Sequence, residues 1–164
     1  MTAETRNRLV QAPTRRDLLK AAGALALGEA ACLTLVRAAE ATPATMQAAI
    51  ANVTRGAKLN PGKIKLEIPP LVENGNTVPC SITVDSPMTE ADYVKAVHVF
   101  TEKNPQPNVV SIQLGPRAGR ASVSTRIRLA DTQTVVAVAE LSDGSLWSHR
   151  VDVLITLGAC LEDS

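Results

Sequence analysis

About seven short stretches of alternating apolar and polar residues, turn chemistry roughly every ten residues, and a single brief helical pattern predict an all-β chain. The expected architecture is an immunoglobulin-like antiparallel β-sandwich with a short N-terminal helix and a flexible C-terminal tail. A parallel α/β fold would need a helix between successive strands, and the sequence offers none there.

The helix is expected over residues 46–55, stopped by Gly56 as its C-cap. Strands are expected at residues 64–68, 78–84, 93–101, 109–114, 120–129, 135–141 and 147–157. In the fifth of these Ala121, Val123, Thr125, Ile127 and Leu129 alternate with Arg120, Ser122, Ser124, Arg126 and Arg128, which gives one buried and one wet face. In the last strand Trp147, Val151, Val153, Ile155 and Leu157 share a side, and Leu154 breaks the alternation. Asn74-Gly75 and Asp143-Gly144 read as hairpin turns, the former as a type I′ turn with positive φ at both central residues. With one Trp, one Tyr and one Phe, the core is built from Val, Ile, Leu and Ala.

Residues 1–41 read as an address rather than as structure. Arg15 and Arg16 form a twin-arginine pattern ahead of an apolar stretch from Ala21 to Val36, too short and Ala-rich for a membrane span. Ala39-Glu40-Ala41 supplies an A-x-A exit, so cleavage is expected near Ala41 or a few residues earlier, with export to the periplasm. Cys32 is not expected to be lipidated, because Glu29 spoils the apolar box before it, and no membrane anchor is expected. Six of the 17 basic and four of the 16 acidic residues lie in this segment, which leaves a formal charge of −1 on the remainder. That balance, with no concentrated basic cluster expected, speaks against nucleic-acid binding. About 123 residues remain, enough for one domain, residues 42–157, followed by a cysteine-bearing arm at residues 158–164.

No complete catalytic site is visible, and no resident cofactor or metal is expected. His98 and His149 have no carboxylate or cysteine at ligand spacing, so they read as packed or surface histidines. Asp85, Glu90 and Asp92 around Pro87 read as a solvated turn. Phosphate loops, G-x-S-x-G elbows and CxxC pairs are absent from the sequence. The informative residue is Cys160, on the tail, where water can reach a thiolate and let it act as a nucleophile. Cys80, inside the apolar run Val78-Pro79-Cys80-Ser81-Ile82, reads as a packed strand residue, with a bridge to Cys160 as the weaker alternative.

Several ordered blocks carry a family resemblance. Glu73-Asn74-Gly75-Asn76-Thr77-Val78-Pro79, Asp85-Ser86-Pro87-Met88-Thr89-Glu90-Ala91-Asp92-Tyr93-Val94, Lys103-Asn104-Pro105, Ser124-Thr125-Arg126-Ile127-Arg128-Leu129-Ala130 and Asp143-Gly144-Ser145-Leu146-Trp147 together resemble the SoxY family. Its members are carrier subunits of the periplasmic thiosulfate-oxidising Sox system. The resemblance runs from about Met46 to Cys160. It implies an immunoglobulin-like domain that forms a heterodimer with a SoxZ-like β-sandwich subunit. It also implies sulfur intermediates held covalently on Cys160 and passed between a c-type cytochrome and a sulfate-releasing hydrolase.

That family's arm has the form Gly-Gly-Cys-Gly-Gly; here Gly158 and Cys160 agree, while Ala159, Leu161 and the added Glu162-Asp163-Ser164 do not. Gly158 is expected to serve as the arm's hinge. Ala159 and Leu161 are expected to hinder entry into a channel shaped for glycines. Each carboxylate at about 8 Å in water costs the thiolate roughly 0.5 kcal/mol, a smaller matter. The alternative function is a divergent, non-carrying β-sandwich that acts as a scaffold or interaction subunit in a sulfur pathway.

Overall fold

The structure, a computed structural model, describes residues 42–159. The expectations for Arg15, Arg16 and Cys32 and for Cys160 fall outside the described residues.

Helix α1, Pro43–Thr54, starts on a capping box: Thr42 and Thr45 exchange side-chain-to-backbone bonds, and Pro43 occupies the first helical position. It ends one residue earlier than expected. Arg55, not Gly56, is the first left-handed residue, at φ 55°, and Gly56 follows at φ 72° with its N–H on the Ala51 carbonyl.

The strands are β1 (Leu59–Pro61), β2 (Ile64–Glu67), β3 (Leu71–Val72), β4 (Val78–Val84), β5 (Val94–Thr101), β6 (Asn108–Gln113), β7 (Ser122–Ile127), β8 (Gln133–Leu141) and β9 (Leu146–Ile155). They form a larger sheet in the order β1-β9-β8-β5-β6, with β3 also on β9, and a smaller sheet β2-β4-β7. The predicted sandwich is present, with one amendment: β1 and β3 run parallel to β9, along opposite ends of one edge. Between them the chain crosses to the smaller sheet as β2. Both are short edge strands whose partners on β9 lie more than 80 residues further along the chain, so no hairpin turn fixes their direction.

The inner faces meet in a core of Val, Ile, Leu and Ala, with Cys80 and Met88 among them. On the outer face of the larger sheet, Met46 and Ile50 of α1 cover Phe100, Val136, Val138 and Leu146 in a second apolar cluster. Alternation along β4 is complete, buried at Val78, Cys80, Ile82 and Val84. It fails on β7, where Thr125 is exposed, because β7 is the edge of the smaller sheet and its inward residues lack a neighbour on one side. Asp143-Gly144 does turn β8 into β9, with Gly144 at φ 83°. Asn74-Gly75 is not a type I′ turn, since neither residue has positive φ.

Candidate functional site

β9 delivers Leu157, Gly158 and Ala159, the last described residues before Cys160, to a junction of three backbones. The Gly75 N–H donates to the Leu157 carbonyl at 2.8 Å, the Leu129 N–H donates to the Gly75 carbonyl at 2.8 Å, and the Ala159 N–H donates to the Leu129 carbonyl at 3.1 Å. A Cβ on Gly75 would overlap the Leu129 carbonyl and stand 2.8 Å from the Ala159 nitrogen; a Cβ on Gly158 would overlap the Ala130 carbonyl. Neither glycine has positive φ, so both are required for close approach. Gly158 was expected to supply a freely turning hinge. Its surroundings set a different demand, because backbone bonds hold the chain on both sides of it, at Leu157 and Ala159.

A buried polar network fixes the loop that holds Ala159. Asn104 donates from Nδ2 to the Arg128 carbonyl at 2.7 Å, and its Oδ1 accepts from the Ala130 N–H at 3.0 Å and from Gln133 Nε2 at 3.1 Å. Gln133 Oε1 accepts in turn from the Lys103 N–H at 2.7 Å. Asn104 and Gln133 are 6% and 4% exposed, so these bonds replace water the side chains cannot reach. Thr132 Oγ1 accepts from the Ile155 N–H at 2.9 Å and donates to the Ile155 carbonyl, tying the same loop to the end of β9. At the surface Lys103 Nζ lies 2.7 Å from Asp131, and that hydrogen bond holds the Asp131 carboxyl below the usual range. Sequence reasoning missed Asn104, Thr132 and Gln133 as junction residues. The one signal was Lys103-Asn104-Pro105, among the blocks that carry the family resemblance.

The other sequence candidates lie apart from this junction. Cys80 is a free thiol, 1% exposed, and burial pushes its pKa up to about 11. A thiol so placed stays protonated and unreactive near neutral pH. His149 points into the sandwich, where Nδ1 accepts the Leu66 N–H at 3.1 Å and so satisfies an edge donor of β2. His98 bonds Ser111 Oγ at 2.9 Å, and burial lowers its pKa against the opposing pull of Glu140. Asp85 and Glu90 are exposed, and the Asp92 N–H donates to the Thr89 hydroxyl at 3.1 Å, closing a local turn. Among the described residues no group of three or more His, Cys, Asp or Glu could hold a metal, and no helix is long and apolar enough to cross a membrane. Among the described residues one open groove of about 390 Å³ runs along Pro70, Glu102, Thr134, Asp152 and Leu154, with no cysteine or histidine in its lining.

The family model described as sulfur oxidation protein SoxY matches residues 38–160, so the match ends on Cys160 itself. No curated protein matches the chain. Among solved structures, the sulfur carrier protein SoxY from Chlorobium limicola f thiosulfatophilum is similar with a TM-score of 0.59 and 26% identity, covering 71% of this chain and all of that one. A superoxide reductase (neelaredoxin) from Ignicoccus hospitalis reaches a TM-score of 0.51 at 14% identity over 70% of this chain and 94% of its own, a likeness of fold alone. The blocks read from the sequence, the sandwich they build and the family match that extends to the tail cysteine agree: the chain belongs to the SoxY family of sulfur oxidation proteins.

Proposed function

We propose that this chain is a covalent sulfur carrier in sulfur oxidation, with Cys160 as the attachment point. The observation that carries the reading is the contrast between its two thiols after residue 41. Cys80 is sealed in the core with its pKa pushed up to about 11, whereas Cys160 follows directly on Ala159, the last residue held by the junction. A carrier needs a thiolate that leaves the body and a body that fixes where it leaves.

In the finer reading the substrate is thiosulfate. The Cys160 thiol couples to its sulfane sulfur, forming a disulfide-type S–S bond; one proton leaves to water and two electrons pass to a c-type cytochrome partner. Water then cleaves the S–S bond to the terminal sulfonate on a hydrolase partner, releasing sulfate and two protons and leaving a persulfide on Cys160. The chain itself contributes position and a nucleophile. A SoxZ-like subunit pairs with the sandwich, whose sheets leave the edges at β6 and β7 open for cover. Arg15 and Arg16 direct export by the twin-arginine route to the periplasm.

The test is the mass of the C-terminal peptide from protein incubated with thiosulfate and the partner enzymes. Sulfur adducts should appear on Cys160, vanish in Cys160→Ser and persist in Cys80→Ser. A Cys160→Ser protein that still supports sulfate formation would leave the scaffold reading in its place.

A further inference from the structure

Among the described residues four exposed arginines between residues 117 and 128 have no ion-pair partner. Arg117, Arg120, Arg126 and Arg128 are all exposed. The ion pairs among the described residues use Lys65, Lys95, Lys103 and Arg150, and none of the four. Among the described residues they donate no side-chain hydrogen bond either, and the sequence from 103 to 130 contains no Asp or Glu. Arg126 near the end of β7 and Arg128 just past it are exposed and alternate with the buried Ile127 and Leu129. The nearest carboxylate along the chain, Asp131, is engaged by Lys103. Glu73, beside Gly75, forms no ion pair with them.

The stripe leads to the junction. Leu129, which accepts the Ala159 N–H, directly follows Arg128, and Arg126 lies about 10 Å further up the extended chain. Beyond Ala159 the sequence continues Cys160-Leu161-Glu162-Asp163, so its two carboxylates stand three and four residues from the pinned nitrogen. Extended chain of that length spans about 10–14 Å, enough to reach Arg128 and Arg126. Opposite charge, matching reach and a fixed starting point coincide.

We propose that the acidic tail segment, Glu162 and Asp163, docks in cis on Arg126 of β7 and Arg128 just beyond its end, parking Cys160 against the body of the protein. The contact is superficial and made of exposed charges, so it is weak and screened by salt. Partner enzymes therefore meet two populations, a parked arm and a released one, and a partner that offers its own cations to Glu162 and Asp163 draws the arm out. Docking itself does not depend on the carrier reading, since it needs only the charges and the junction.

A nitroxide on Cys160 tests this, in a Cys32→Ala background with Cys80 protected by burial. At about 20 mM salt the spectrum should be dominated by a slow component, which should convert to a fast one at about 500 mM, where the Debye length is only about 4 Å. Arg126→Glu with Arg128→Glu should give the fast spectrum already at low salt, and adding Glu162→Arg with Asp163→Arg should restore the slow one. Arg126→Gln with Arg128→Gln, a milder change at an exposed edge, should lie between, with circular dichroism confirming the fold of each variant. A fast wild-type spectrum at low salt, or arginine variants that leave the slow component unchanged, would overturn the proposal. So would variants with an unaltered tail that lose partner binding, an outcome that assigns the stripe to an acidic partner.

Discussion

The two ends of the sandwich are closed by different means. At one end Asp143-Gly144 turns β8 into β9 within a few consecutive residues: Gly144 donates to the Leu141 carbonyl at 3.0 Å, Leu141 donates to the Ser145 carbonyl at 3.0 Å, and Asp143 Oδ1 accepts the Ser145 N–H at 2.8 Å. At the other end Gly75, Asn104, Leu129, Gln133 and Ala159 meet from four separate parts of the chain. The first end is finished as soon as its own residues adopt their turn. The second exists only once both sheets have assembled, so the base of the arm is positioned by the completed fold. A carrier arm whose starting point is set by tertiary structure starts from the same place in every folded molecule.

The largest effect expected from this difference is at Asn104. Asn104→Ala removes partners from the Arg128 carbonyl, the Ala130 N–H and Gln133 Nε2 together. At about 1–3 kcal/mol for each buried group left unpaired, with water relieving part of it, the loss should be roughly 3 kcal/mol by urea denaturation. Amide exchange at Leu129 and Ala159 should accelerate far more than at Leu141 or Gly144. A loss below about 1 kcal/mol, or uniform acceleration at both ends, would mean that the junction does not depend on this network.

The asymmetry also explains which features could be read from the sequence. β4 was legible to the residue because Val78, Cys80, Ile82 and Val84 are buried at period two between two hydrogen-bonded neighbours. The Asp143-Gly144 turn was legible because its chemistry is local. Gly75 was read as a turn glycine from the Asn-Gly pair, although what it needs is room for the Leu129 carbonyl and the Ala159 nitrogen. No local pattern announces a contact between residues 75 and 159. The Asn104 network hid for the same reason: its side chain reaches 24 to 29 residues along the chain. The parallel strand β3, only two residues long, is defined by its partner Leu154–Ile155 rather than by any alternation of its own.

A glycine exchange sharpens the contrast at intermediate size. Gly75→Ala drives a Cβ against backbone that cannot rotate aside, so the junction must open, at a cost of about 2 kcal/mol in the range of overpacking changes. Gly144→Ala meets nothing within 4 Å and suffers only its left-handed backbone, at φ 83°. That strain is worth about 1 kcal/mol. Beyond the difference in size, the consequences should differ in kind. Gly75→Ala should raise protease access to the peptide bonds around residues 157–160, whereas Gly144→Ala should lower the melting temperature and leave those bonds as protected as before. Equal cleavage in the two variants would remove the claim that Gly75 pins the arm.

The smallest effect lies at the turn end and provides the internal control. Lys63 places Nζ 5.2 Å from the centre of the Trp147 ring, a cation over an aromatic face at a partly exposed site. Lys63→Gln keeps the side chain's Cβ and the left-handed backbone at φ 48° while removing the charge, so the loss should be near 0.5 kcal/mol. Trp147 is the chain's one tryptophan, and its emission therefore reports this end alone. Lys63→Gln should change that emission in the native state, because a cation leaves the ring. Gly158→Ala, which disturbs the Ala130 carbonyl at the opposite end, should leave native emission unchanged while loosening the segment before Cys160. If Gly158→Ala altered Trp147 emission before global unfolding, the ends would be coupled through β9, which runs from Leu146 to Ile155 between them. The arm's release would then be felt along the whole strand.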